Sequence, residues 1–156
     1  MNVRASSTWQ HDTRKFGPQH ALDSQSMDAW KSAPSEGSNP MAYYEIHFRR
    51  PVLVREIRVQ FQGGFVGMDC IVYKKKQLHN NDDSDQSDNN EVWEELEEIF
   101  MDPIESNDNQ IFPADVDNEE SDPCTAIRLE FGKSSDFYGR IVIYSLEVWG
   151  LELPDK

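Results

Sequence analysis

AYYEIHFRRPVLVREIRVQF, residues 42–61, places β-branched and aromatic side chains at nearly every second position, the period of a strand with one buried face. The stretch reads as two strands, 42–48 and 51–61, joined by a turn at Arg49, Arg50 and Pro51. In the second, Val52, Val54, Ile57, Val59 and Phe61 line one face, and the alternation slips at Arg55, where a bulge would reset the register. Working outward, similar runs occur at 69–73, 92–100, 125–131 and 140–149, six strands in all with no convincing helix. Residues 91–101 are ambiguous, because Trp93, Leu96, Ile99 and Phe100 also recur at helical spacing. Short strands separated by turn signals predict an all-β protein, an antiparallel sandwich or barrel.

At 156 residues the chain has the size of one domain, read here as 1–153 with a tail at 154–156. Its 8 Phe, 5 Tyr and 4 Trp supply enough apolar area to offset the entropy of ordering a sandwich. The formal charge of −14 is very unevenly placed: residues 80–122 hold 17 Asp or Glu and no Lys or Arg, leaving 12 acids against 15 bases, or +3, elsewhere. The net charge thus belongs to an insert, and the body is near neutral. Residues 79–91 (HNNDDSDQSDNNE) contain nothing able to pack and read as a solvated loop. A second acidic loop, 106–123, carries Ile111, Phe112 and Val116 and should touch the core once.

Neither a signal-peptide core nor an apolar run of membrane-spanning length is present, which predicts a soluble, non-secreted protein. The two cysteines, Cys70 and Cys124, and the lack of an Asn-x-Ser/Thr sequon fit a reducing compartment with free thiols.

No motif specifies catalysis. Asp83, Asp85, Ser87, Asn89, Glu91 and Glu94 match the ligand spacing of an EF-hand loop, but Asp88 stands where the sharp turn needs Gly and no amphipathic helix precedes it. Gly132-Lys133-Ser134 resembles the end of a phosphate loop, yet Ile127 occupies the position of its first Gly. The four histidines, His11, His20, His47 and His79, are scattered without ligand spacing. A non-enzymatic binding module is the expectation.

Three further patterns point to a family: Ala5-Ser6-Ser7; Ala21-Leu22-Asp23; and Trp30-Lys31-Ser32. With the strand Tyr44-Glu45-Ile46-His47-Phe48 and the ending Val148-Trp149-Gly150, they resemble the discoidin domain, the C-type domain of coagulation factors, within the galactose-binding-like jelly rolls. Within it the chain is most similar to the nuclear receptor subfamily 2 group C member 2-associated proteins. The residues carrying that resemblance are Thr13-Arg14-Lys15-Phe16-Gly17 with His20, Val59-Gln60-Phe61-Gln62-Gly63-Gly64-Phe65, and Asp136-Phe137-Tyr138-Gly139-Arg140-Ile141-Val142-Ile143-Tyr144. The likeness covers most of the chain except 79–122.

The resemblance implies a nuclear cofactor, present also in the cytoplasm in some settings, that binds an orphan nuclear receptor and represses its transcriptional activity by hindering DNA binding. A protein partner is implied, with no direct contact to nucleic acid or membrane, and a monomeric chain. Other readings open to the fold are an interaction subunit of a ubiquitin-ligase or ciliary-transport complex, and a carbohydrate or lipid binder. In discoidin-like folds the matching loops leave one end of the sandwich. Arg14, Phe16, Gln62, Phe65, Phe137, Tyr138 and Arg140 are therefore the expected partner-binding residues; the alternative is that Phe16 and Phe137 plug the end of the barrel while Arg140 satisfies loop carbonyls. Gly63 and Gly64 fit a loop that needs positive φ, while Trp30, Trp149 and Ile143 read as core. No cofactor is implied, save that Asp23, with Glu147, matches the place where some sugar-binding relatives hold a structural calcium. Ser24 replaces the Gly expected next, and a turn-capping role for Asp23 is the alternative.

Overall fold

A computed structural model describes residues 1–35, 39–76, 91–115 and 122–154. The EF-hand-like positions 83–89, most of the acidic loop 79–91, Val116 and the end of the tail fall outside them.

The fold is an antiparallel jelly-roll sandwich organised around one long strand. β3 runs without reversal through Ala42–Phe61, so the turn expected at Arg49-Arg50-Pro51 is a correction. Before that point β3 lies between β1 (Asn2–Ala5) and β7 (Cys124–Ser134); after it, between β8 (Val142–Glu152) and β6 (Asn109–Pro113). The β3–β7 register shifts between His47 and Val52, where the chain leaves one sheet for the other. Pro51 sits at this corner, where the lack of an N–H costs nothing, and its carbonyl accepts from Leu153 N at 2.9 Å. A second shift, between Val54 and Glu56, falls where the apolar alternation slips.

One sheet thus runs β1, β3, β7, β4 (Gly67–Lys75) and β5 (Trp93–Glu95), and the other β2 (Trp30–Lys31), β8, β3 and β6. Residues 92–100 form neither a long strand nor a helix. Only Trp93–Glu95 pair with β4, and a turn then buries Leu96, Ile99 and Met101 while Phe100 stays exposed. The loop expected at 106–123 contains β6, which pairs Ile111 with Arg58 and Phe112 with Ile57. β1 and β2 are too short for period-2 reading and take their conformation from the strands they join.

Inward-facing residues of both sheets form one core. Phe61 packs edge-on against Phe131, with ring centres 6.0 Å apart. Trp30 packs against Tyr44 at 5.2 Å, and the Tyr44 hydroxyl donates to the Pro18 carbonyl at 2.6 Å. Such ring pairs contribute about 0.5–1.5 kcal/mol beyond their buried area. Trp30 and Ile143 are fully buried, but Trp149 is a correction: it is 50% exposed on the outer face of β8, its ring stacked under the Arg58 guanidinium. Cys70 and Cys124 are free and buried; burial in apolar surroundings raises both thiols, Cys124 to about 11.

Candidate functional site: an arginine among three rings at the loop end

The ends of β3 and β7 and the starts of β4 and β8 meet at one end of the sandwich, and their connections are tied together by backbone bonds. Gln62 N donates to Val142 O at 3.0 Å, Val142 N to Phe65 O at 3.1 Å, and Ser135 N to Val66 O at 2.9 Å. The N-terminal segment joins them through Ser32, whose N–H donates to Ile141 O at 2.9 Å and whose hydroxyl accepts from Ile141 N at 2.7 Å. Gly64 and Gly139 hold φ of 88° and 78°, and a Cβ on Gly139 would meet the Ser35 carbonyl at 2.4 Å, so both loops require glycine.

Arg140 is the centre of this end. Its Nε donates to Asp136 Oδ2 at 2.8 Å, a terminal nitrogen to Oδ1 at 3.2 Å, and its backbone N–H to Oδ2 at 3.0 Å. The guanidinium carbon lies 5.1 Å from the Phe65 ring centre and 5.5 Å from those of Trp9 and Tyr138. Asp136 therefore fixes the orientation of a planar cation that three aromatic faces stabilise. These hydrogen bonds hold the Asp136 carboxyl below its ordinary range and, in turn, raise Arg140. Because the folded-state value is depressed, the stabilisation is present above the ordinary carboxylate range and is lost as pH falls through the lowered value. Carboxyl-carbon NMR should find Asp136 titrating below the exposed aspartates, and Arg140→Ala, which removes the side-chain hydrogen bonds but keeps the backbone one, should move it up towards the ordinary range.

Beside Arg140 is an open cavity of about 230 Å³ lined by Trp9, Lys31, Ser32, Gln62, Phe65 and Val142. Gln62 Oε1 accepts from the Tyr144 hydroxyl at 3.0 Å. Phe137 is 92% exposed and Tyr138 56% exposed, in edge contact with each other at 5.2 Å. The structure thus brings together Gln62, Phe65, Tyr138 and Arg140, with Phe137 beside them. Phe65 is half-buried and Tyr138 exposed; of the two rings for which plugging the end was the alternative, Phe137 stands in solvent and Phe16 is half-buried.

Phe16 lies in a neighbouring hollow of about 310 Å³ that shares Lys31 with the first. The ammonium groups of Lys15 and Lys31 stand 5.3 and 5.0 Å from its ring centre. Arg14 is exposed and lines neither cavity. What holds its helical turn (α1, Thr13–Phe16) is Asp12, which accepts from Lys15 N at 3.1 Å, and His20. A carbonyl only accepts, so in the neutral ring His20 Nε2 carries the hydrogen given to Arg14 O at 2.8 Å, and Nδ1 accepts from the Ser26 hydroxyl at 2.8 Å. Trp9, Lys31, Ser32 and Val142 were not expected at the site. Only Trp9 left a signal, a lone tryptophan in a polar run.

Asp23 caps a turn, accepting from Gln25 N at 2.9 Å, and Glu147 accepts from Trp149 Nε1 at 2.9 Å. Among the described residues neither belongs to a group of three or more ligating His, Cys, Asp or Glu side chains. The one such group, Glu45, His47 and Glu91, is already compensated by Arg128, 3.6 Å from Glu45, and Lys75, 3.9 Å from Glu91.

The Xenopus laevis nuclear receptor 2C2-associated protein is 31% identical to the chain over 147 residues, which cover 94% of this chain and 91% of that protein. The chain belongs to the nuclear receptor 2C2-associated protein family. The zebrafish (Danio rerio) and human members of the nuclear receptor 2C2-associated protein family are 28% and 27% identical, each over 94% of this chain and 89% of their own length. Among solved structures, the F5/8 type C domain of a Bacteroides fragilis protein superposes with a TM-score of 0.67 at 16% identity, over 97% of this chain and 92% of that domain. A chitosan-binding module from a Paenibacillus chitosanase/glucanase gives 0.66 at 12% identity, over 96% of this chain and 94% of the module. These two share the discoidin-type fold. No family model matches the chain.

Proposed function

We propose that this chain is a non-catalytic protein-binding module that associates with a nuclear receptor of the 2C2 type through its loop end. Acting as a monomer in the nucleus, it represses receptor-driven transcription by competing with receptor binding to DNA, without itself contacting nucleic acid or membrane. The observation that carries this reading is the Arg140 cluster: aromatic rings and an oriented arginine, drawn from three loops and open to solvent. That composition is the one enriched at protein-interface hot spots. The names of the relatives supply the receptor.

The test is a calorimetric titration of the protein with purified nuclear receptor 2C2, alongside Phe65→Ala and Tyr138→Ala. The wild type should bind with a Kd near or below about 1 μM, and each variant should weaken binding at least about tenfold, 1.4 kcal/mol, with unchanged thermal melting. Undiminished binding by both variants would move the interface elsewhere. The absence of binding by the wild type, with binding to chito-oligosaccharides instead, would replace the reading by a carbohydrate one.

A further inference from the structure

Two residues of the acidic insert reach back to the loop end and hold the turn that carries Gln62 and Phe65. Gln62, Gly63, Gly64 and Phe65 form that turn, closed by Phe65 N donating to Gln62 O at 3.0 Å. Its outer members, Gln62 and Phe65, line the cavity beside Arg140, and Phe65 sets its ring against the guanidinium. Its inner members are both glycine, so no side chain restrains the middle of the turn. The closing bond uses the Phe65 N–H and leaves both glycine N–H groups without a partner inside the turn. Those two groups are satisfied from outside. Gly63 N donates to Asn107 Oδ1 at 2.7 Å, and Gly64 N donates to a carboxylate oxygen of Glu105.

The loop that presents these two acceptors is itself clasped. Gln110, in β6, accepts from Ile104 N and donates to Ile104 O, both at 2.9 Å, which closes residues 104–110 into a ring. Inside the ring Ser106 Oγ accepts from Asp108 N at 2.9 Å, and from β3 the Gln60 amide donates to Asn107 O at 3.0 Å. A Cβ on Gly63 would meet Asn107 Oδ1 at 2.9 Å, so a side chain there has to push the Asn107 amide aside. A free turn with two central glycines samples many conformations. A partner that needs one of them binds in proportion to the fraction in that form. We propose that Glu105 and Asn107 are positioning residues of the receptor site: by accepting the Gly63 and Gly64 N–H groups they hold the turn in the form that sets Phe65 against Arg140 and Gln62 on the cavity wall. The proposal rests on the receptor reading of the loop end, and it gives part of the acidic insert a role there.

The test compares two double variants. Glu105→Ala with Asn107→Ala loses both acceptors; Glu105→Gln with Asn107→Asp exchanges carboxylate and amide but keeps an oxygen at each place and the same net charge. Gly63→Ala is a third variant, in which the Asn107 acceptor is displaced rather than removed. In calorimetric titration with purified nuclear receptor 2C2, the alanine pair should bind at least about fivefold more weakly and the exchanged pair within about twofold of wild type, with thermal melting unchanged. Gly63→Ala should weaken binding in the same direction. Without receptor, amide exchange at Gly63 and Gly64 should quicken and the Arg140 Nε–H resonance should move in the alanine pair but not in the exchanged pair. Wild-type affinity in the alanine pair, while Phe65→Ala loses binding, would overturn the proposal and leave the receptor reading standing. An equal loss in both pairs would overturn it too, since the acceptors would not be the cause. If the wild-type protein bound no receptor, that reading would fall and the receptor-free measurements would decide the proposal: unchanged exchange in the alanine pair overturns it.

Discussion

Replacing Trp30 by alanine is expected to cost about 3–5 kcal/mol of folding free energy, the range for deleting a large buried aromatic side chain. Trp30 is fully buried, its ring packs edge-on against Tyr44, and its indole N–H donates to the Ser7 carbonyl at 3.0 Å. The alanine variant leaves a cavity and also strands that carbonyl. For a chain of this size the loss corresponds to a fall in Tm of about 10 °C or more. The same residue positions the site, because Ser7 also accepts from Ala33 N through its hydroxyl at 3.0 Å and precedes Trp9 by two residues. Receptor binding should therefore fall together with stability. Trp30→Phe restores most of the packing but not the hydrogen bond, and should recover part of the stability. Urea unfolding checks the series, and a loss under about 1 kcal/mol for Trp30→Ala would show that the neighbours collapse into the space.

The second large effect is expected at Arg140. Arg140→Ala removes a cation held against three rings and frees Asp136, so receptor affinity should fall by at least about tenfold. Arg140→Lys separates charge from shape: lysine keeps the charge but cannot offer a planar, two-point partner to Asp136 or stack between Phe65 and Trp9. It should bind nearly as weakly as the alanine variant. Full recovery by lysine in the same titration would reduce the role of Arg140 to its charge.

The all-β class was legible because strands buried on one face leave period-2 alternation in the sequence, and residues 42–61 show it over two sheets. What alternation does not encode is direction. Two arginines and a proline look like a reversal, and only the separate partners of each half show that the strand continues around a corner. β6 was hidden by the acids around it, since Ile111 and Phe112 in a charged run resemble a loop with a single anchor. Trp149 misled for a related reason: its place in the terminal pattern marks a strand, but which face it takes depends on register, and register placed it outside. At the site, the loops after β3 and β7 were found through a family resemblance, whereas Trp9 and Lys31 join them through contacts distant in sequence. Arg14 shared the motif but not the cluster, because a motif records neighbours along the chain.

The single strand shared by both sheets also fixes a timetable for folding. Half of β3 needs β7, and the other half needs β8 and β6, which begin at residues 124, 142 and 109. A ribosome adding about 5–20 residues per second needs about 4–16 s to go from the end of β3 to the start of β8. Until residue 109 is made the longest strand of the chain has β1 but none of its three later neighbours, and it lacks β8 to the end of that interval. Its pairings are long-range and therefore slow to close. The nascent chain thus carries an incompletely paired β3 through much of synthesis, which makes this strand the natural point of chaperone engagement and of misassembly when engagement fails.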